Sequence, residues 1–424
     1  LALRDSAIPD FLKIPRPLQE RFYAAAEEEV KILAQKIAEF STNIEELSSI
    51  IGVGIKKIEG NDAWKYLRIG VVDGSDLPAI NERIGLRYGL YSVAYKLFRG
   101  LDPIDGGEWF YGDRISGSIG MQRESFIKIL DLLTTYYERY TANNLLGEVD
   151  LLMVDGSFFG YRAGCSMVKR EEVGWRDNLT GSTFRTVYDL ISKINELTIR
   201  LIESGKAFGV IKRVATMAID GYICYRYGPQ KGIALSDRSV LSLFMKRGEV
   251  FDYDEIFGPE MRFDALTWYR GILRERTWSK RPPSEVLKEA VRRVQVQLLA
   301  DLTPYKGKGA GRQPQDGREV VEAARSTKRV FVKTVDDVPP ICVEFSSKMP
   351  KELRSTVLSY VLSTANPDTG LPLPLDLVDN LVSLPRGLGR EFVNEIEAEL
   401  LRRGFSRQSL AALFARYNPQ KDEG

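Results

Sequence analysis

The sequence predicts an α/β protein: a mixed sheet flanked by helices, with helical additions at both ends. Three observations carry this expectation. A motif occurs twice, Asp73-Gly74-Ser75 and Asp155-Gly156-Ser157, and each copy closes a short apolar run, residues 67–72 and 149–154. A third such run, residues 207–211, ends in Lys212. Runs of this length and composition read as buried strands. Around them lie segments whose apolar residues recur with the helical period, and strands and helices in mixed order argue one α/β domain rather than a string of separate ones.

The chain has 424 residues, 44% apolar and 28% charged, which is the composition of a globular protein with room for a large core. Net charge is only +2, so contact with nucleic acid would depend on local basic patches. No apolar run approaches the ~20 residues of a membrane helix. Cys165, Cys224 and Cys342 are far apart and form no Cys-x-x-Cys, which speaks against a disulfide framework or zinc ribbon and leads us to expect a cytoplasmic protein. The sequence contains no histidine. That removes Ser-His-Asp triads, Cys-His proteases and His-Glu-x-x-His zinc sites. No phosphate-binding Gly-x4-Gly-Lys-Ser/Thr is present. Carboxylates, lysines, tyrosines and hydroxyls remain for chemistry.

In chain order, residues 16–48 form an amphipathic helix with Phe22, Val30, Leu33, Ile37 and Phe40 near one stripe, expected to pack on its own domain. After the first strand, residues 85–99 and 108–112 read as antiparallel partners. Residues 122–140 return to the helical period, with Phe126, Ile129, Leu130, Leu133, Tyr136 and Tyr137 inward and Glu124 in the first turn. A helix over 182–204 follows, capped by Ser182 or Thr183. Ser236-Asp237 starts a helix to 245, with Asp237 a simple cap, and residues 284–299 form another. The Gly-rich stretch 304–318 carries Lys306, Lys308 and Arg312, a basic loop suited to phosphate or a solvated linker. Strands at 328–334 and 340–345 precede helices at 351–362, 374–384, 389–403 and 407–417.

Neighbouring buried strands deliver their C-terminal residues to one edge of a sheet, where ligands bind. Asp-Gly is a common turn dipeptide, so one copy implies only a turn. Two copies ending adjacent strands would bring Asp73 and Asp155 together, where they would repel unless a cation lay between them. Hard divalent ions such as Mg²⁺ or Mn²⁺ favour such oxygen ligands. Glu124 would add a third carboxylate if its helix held it over the sheet edge. Lys212 would either neutralise a phosphate or reach solvent.

These residues resemble the NurA nuclease family. The resemblance lies in Val71-Val72-Asp73-Gly74-Ser75, the Arg123-Glu124 helix start, Leu152-Met153-Val154-Asp155-Gly156-Ser157, Gly209-Val210-Ile211-Lys212, Ser236-Asp237-Arg238, and the segment from Asn366-Pro367 through Gly370 and Pro372 to Leu375. It spans about residues 60–385. It implies an RNase H-like fold, with an N-terminal helical segment at 1–60, a nuclease domain at 61–385 carrying a helical insertion at about 215–325, and C-terminal helices at 386–424. It also implies a 5′-to-3′ DNA nuclease using Mn²⁺ or Mg²⁺, a ring-like homodimer, and an archaeal-type HerA hexameric ATPase as partner in resecting DNA ends. Asp73, Glu124 and Asp155 would hold the metal, and Lys212 would counter phosphate charge. Lys306, Lys308 and Arg312 would touch DNA. Two family positions differ: Leu371 stands where a tyrosine is expected, and Asp379 where a histidine is. If residues 375–382 are helical, Asp379 lies beside the apolar face of Leu375, Val378 and Val382, and a metal, a lysine such as Lys212 or a proton must accompany it. It then either replaces the histidine as an outer metal ligand or water-positioning group, or is solvated on a rotated helix. A catalytically silent subunit that scaffolds the helicase, or an ATPase on the same fold, are the alternative readings.

Overall fold

The computed structural model describes residues 13–41, 44–77, 81–83, 85–118, 121–258, 261–304, 315–385 and 387–415. The chain divides into two units, residues 1–53 and 54–424. The first holds α1 (Arg16–Ser41) and α2 (Ile44–Gly52), two helices where the periodicity predicts one. Glu45 and Glu46 in the first turn of α2 complement a new helix N-terminus. Phe22, Val30, Leu33 and Ile37 on α1 are exposed. Among the described residues this stripe is therefore not buried as expected, and α2 is only nine residues long.

The second unit begins with β1 (Ile55–Lys57), β2 (Arg68–Asp76), β3 (Asn81–Glu82), β4 (Leu86–Arg99) and β5 (Asp102–Ser118), followed by α3 (Arg123–Leu145) and β6 (Leu151–Asp155). Next come α4 (Cys165–Val168), β7 (Glu172–Arg176), β8 (Thr183–Thr186), α5 (Val187–Glu203) and β9 (Ala207–Ile211). An insertion holds α6 (Ala218–Tyr227), α7 (Asp237–Phe244), β10 (Glu249–Asp252), α8 (Tyr253–Phe257), α9 (Phe263–Leu273), α10 (Pro283–Leu302) and α11 (Gln315–Arg325). The chain closes with β11 (Thr327–Val332), β12 (Ile341–Ser346), α12 (Lys351–Ser363), α13 (Leu373–Val382), α14 (Leu388–Arg402) and α15 (Arg407–Phe414).

β2, β4 and β5 form the expected antiparallel meander, and β6 and β9 join β2 in parallel on its other side. The order β5-β4-β2-β6-β9, with three parallel strands beside two antiparallel ones, is the RNase H-like arrangement. The sheet continues past β9 through β12, β11, β10 and β1, all antiparallel. The insertion is therefore not wholly helical: Val250 and Phe251 of β10 pair with Val332 and Phe331.

Both faces of this sheet are covered, and the two-residue strand period sorts side chains between them. Val72, Leu152, Val154 and Ala207 pack under α3, α5 and α10. Ile69, Val71, Leu151, Met153, Phe208 and Val210 pack under α12 and α13, against Val357, Tyr360, Leu375, Val378 and Val382.

The helix expected over 182–204 starts later. Residues 183–186 are β8, in which Phe184 pairs with Trp175 of β7. The cap is Thr186, whose hydroxyl accepts from the Asp189 N–H at 3.3 Å while Asp189 accepts from the Thr186 N–H at 2.8 Å. This reciprocal pair satisfies two otherwise unpaired helix-end donors, and it outweighs the continuing apolar period at Phe184. Thr186→Ala is therefore expected to cost about 1 kcal/mol of stability. An unchanged urea midpoint would show that the cap is not limiting.

Candidate metal centre

β2, β6 and β9 are parallel neighbours, so their C-terminal ends reach the same edge of the sheet. Strand period then fixes the face. Asp73 follows Ile69 and Val71 at two-residue steps, Asp155 follows Leu151 and Met153, and Lys212 follows Phe208 and Val210. All three therefore belong to the face that α13 covers. On α13, Leu375, Val378 and Val382 are buried against the sheet, and Asp379 lies beside Val378, one turn beyond Leu375. The helix is pinned at its far end by the Ser92 hydroxyl, which donates to the Val382 carbonyl at 2.7 Å.

The two Asp-Gly-Ser copies differ. At the second, β6 ends at Asp155 and Gly156 turns the chain at φ +77°. At the first there is no turn: β2 runs on to Asp76, because its pairing with β4 continues after its pairing with β6 stops at Val72. Gly74 faces α3, where an added Cβ would lie 2.7 Å from Glu138 Oε1. Gly209 of β9 is required for a similar reason, since a Cβ there would lie 2.3 Å from the Gly156 carbonyl. Ser157 ties the turn to the sheet: its hydroxyl donates to Glu344 Oε2 and accepts from Arg329 Nη2, both at 2.9 Å.

Lys212 is held from behind by Arg238, whose guanidinium donates to the Lys212 carbonyl at 2.9 Å and to that of Pro340 at 3.0 Å. The cap of α7 is Ser236, not Asp237. Asp237 is fully buried and accepts from the N–H groups of Ala218 and Ile219 and from the Tyr253 hydroxyl, so it anchors α6.

One carboxylate oxygen from each of Asp73, Asp155 and Asp379 lies within 4.8 Å of the others. The Lys212 ammonium sits 2.7 Å from Asp379 Oδ1 and 3.3 Å from Asp155 Oδ2. Asp73 is 1% exposed, and its Oδ1 accepts from the Gly74 N–H at 2.8 Å. Asp73 Oδ2 and Asp155 Oδ1 are buried with no hydrogen-bond partner. Burial pushes the Asp73 carboxyl far above the usual range, and Asp155, Glu138 and Asp379 add to it against the opposing Lys212. Burial also raises Asp155, although Lys212 works against it. Burial alone would lower Lys212, but Asp155 and the hydrogen bond to Asp379 outweigh it and hold the ammonium above its ordinary value. Three carboxylates meet one ammonium, two buried oxygens are unpaired, and every free donor is oxygen. That set fits a hard divalent cation held by Asp73, Asp155 and Asp379.

Glu124 is not brought to this cluster. It is exposed in the first turn of α3, and the carboxylate that α3 presents there is Glu138. The two are 14 residues apart on one helix, about 21 Å. Burial raises Glu138 to about 7, with Asp155 among the further causes, while Arg139 opposes. The sequence carried one signal for it: Glu138 directly follows Tyr137 of the buried stripe, one turn after Thr134. Leu371 packs against the core under α12 and α13 and offers no polar group. Lys306, Lys308 and Arg312 lie outside the described residues.

No protein-family model and no curated protein matches the sequence. The structure, however, is similar to the NurA nuclease from Sulfolobus solfataricus, with a TM-score of 0.55 and 12% identity over 93% of this chain and 99% of that one. The chain has the NurA fold. Two further NurA structures, one with manganese and one bound to dAMP and manganese, both have a TM-score of 0.42, at 10% and 13% identity over 92% of this chain and 99% of theirs. Among the described residues, no helix is long and apolar enough to cross a membrane.

Because Asp73 titrates higher in the folded chain than in the unfolded one, its ionisation costs stability increasingly as pH rises from about 4 towards the folded value. Asp73→Asn is therefore expected to stabilise the metal-free protein at pH 8 by on the order of 1 kcal/mol, and not at pH 4. Added Mn²⁺ should raise the melting temperature of the wild type and leave the variant unmoved. A variant less stable at pH 8, or one that gains equally from Mn²⁺, would contradict the site.

Proposed function

We propose that this protein is a divalent-metal-dependent deoxyribonuclease that hydrolyses phosphodiester bonds at the sheet edge formed by β2, β6 and β9. The observation that carries the reading is that one oxygen each of Asp73, Asp155 and Asp379 lies within 4.8 Å of the others, while Asp73 Oδ2 and Asp155 Oδ1 are buried without partners. The NurA fold supports it, since the Sulfolobus protein is a nuclease. When bound, Mn²⁺ or Mg²⁺ would supply an acidified water and neutralise charge on the phosphate.

The remaining roles belong to the chain. Asp73 and Asp155, fixed on adjacent strands, hold the metal from the sheet, and Asp379 holds it from the helix above. Glu138, packed against Gly74, closes the site from the α3 side. Lys212 orients Asp379 and presents a positive charge to a phosphate oxygen. Contacts of this kind address the backbone and not the bases, so cleavage is independent of sequence. On this reading the protein acts as a homodimer on DNA ends with a HerA-type hexameric ATPase, degrading 5′ to 3′ in end resection for double-strand break repair. A silent scaffold subunit is the second reading, and the observation favouring it is that Lys212 already occupies one oxygen each of Asp155 and Asp379.

Labelled linear DNA separates the two. With Mn²⁺ the wild type is expected to cleave, EDTA to stop it, and Asp155→Asn to lower the rate about a hundredfold or more. Asp379→Asn, which keeps shape and removes charge, should slow cleavage and raise the Mn²⁺ requirement. Unchanged cleavage by Asp155→Asn would remove the site, and a wild type inert in Mn²⁺ would favour the scaffold.

A further inference from the structure

On the sheet face turned away from α13, the outer strands carry a ladder of aromatic rings. Tyr95 stacks on Trp109, its cross-strand partner, with centroids 6.2 Å and planes 22° apart. Trp109 stacks on Tyr111 at 6.0 Å and 5°. All three rings are half-buried. Between this ladder and the C-terminal half of α3 lies a cavity of about 260 Å³, lined by Tyr95, Trp109, Tyr140, Thr141, Asn144 and Glu148 among others. That is slightly smaller than the range of drug-sized ligand pockets, room for one planar ring system and not for a duplex.

The polar groups of the slot are few. Thr141 is 3% exposed and its hydroxyl has no hydrogen-bond partner. A threonine within a helix usually returns its hydroxyl to the carbonyl one turn back, as Thr134 does to Leu130 at 3.1 Å. A buried hydroxyl left unpaired costs about 1–3 kcal/mol, so Thr141 is suited to a partner that enters from outside. Asn144 adds an amide and Glu148 an acceptor. Arg68 pairs with Glu148 at 3.6 Å and stands opposite Arg99 in the register of β2 and β4. Two cations therefore lie beyond the Glu148 end of the slot, with the Asp150 carboxylate on the Arg68 N–H and Asp102 opposite Arg99. Aromatic walls, a hydrogen-bonding floor and arginines nearby are parts with which proteins hold unstacked bases of single strands.

We propose that this slot takes an unpaired nucleobase of single-stranded nucleic acid, with the neighbouring phosphates on Arg68 and Arg99. Glu148 can only accept hydrogen bonds, so bases carrying an exocyclic amino group are preferred over thymine, whose single N3–H donor is flanked by two carbonyl oxygens that repel a carboxylate. None of these side chains belongs to the metal centre, and the slot stands or falls separately from cleavage.

The test uses the intact protein in EDTA and a single strand carrying 2-aminopurine, whose fluorescence is quenched by stacking. The wild type is expected to quench it on binding. Trp109→Leu and Tyr140→Leu should each weaken that binding about fivefold or more. Should either variant fold poorly, Glu148→Gln serves, and is expected to reduce the preference for a dA tract over a dT tract. Binding without quenching, wild-type affinity in the aromatic variants, or free 2-aminopurine riboside bound as tightly as the strand would each overturn the proposal. Quenching by a protein that cannot cleave in Mn²⁺ would keep the slot and sink the nuclease reading; cleavage without quenching would do the reverse.

Discussion

Mutual repulsion among crowded carboxylates, with Asp73 buried, Asp155 partly buried and Asp379 half-exposed, is the constraint on which the rest of the structure depends. Asp73, Asp155 and Asp379 crowd into one space, with Glu138 acting on the first two from the α3 side. Low-dielectric surroundings strengthen every such interaction and penalise each ion separately. A chain folding under these conditions must supply positive charge, and Lys212 is the side chain that does so. One ammonium cannot balance the three aspartates, and the second cation nearby, Arg139, is paired with Glu138 at 3.9 Å. The imbalance is a cost to the metal-free fold and the source of affinity for a divalent cation.

The scaffold explains why that cost is tolerated. Asp73 and Asp155 sit on β2 and β6, whose apolar residues are buried on both faces by two separate clusters. Their backbone positions are set by pairing and packing that do not involve the charges. Gly74 and Gly209 show how closely the neighbours approach, since a side chain at either would meet Glu138 or the Gly156 carbonyl. Ser157, Glu344 and Arg329 brace the turn after Asp155, and Arg238 braces the backbone of Lys212. The sheet also has two working faces: the acids lie beneath α13, and the aromatic ladder of β4 and β5 lies on the other side.

Much of this was legible in the sequence where a local pattern and a tertiary demand coincide. Short aliphatic runs located β2, β6 and β9, and the two-residue period then places Asp73, Asp155 and Lys212 on one face. The apolar trio Leu375, Val378 and Val382 placed Asp379 beside a packed face. Legibility failed where tertiary contact overrides a local signal. Asp73-Gly74 reads as a turn, yet β4 keeps the strand extended to Asp76. Thr183-Phe184 continues a helical period, yet β7 recruits it as a strand. Glu124 looked like the third acid because it begins a helix near the second motif. Only the packing of α3 across β2 reveals that Glu138, four turns further on, is the one that faces Gly74.

The central claim is that one divalent cation completes a set of acids the chain leaves unbalanced. Crystals of the protein grown with Mn²⁺ and measured at the manganese absorption edge test it directly. The account predicts an anomalous peak in contact with Asp73 Oδ2 and Asp155 Oδ1, with Asp379 as a further ligand. A map with no peak there, Lys212 still bridging Asp155 and Asp379, or a peak at Glu124 instead, would contradict it.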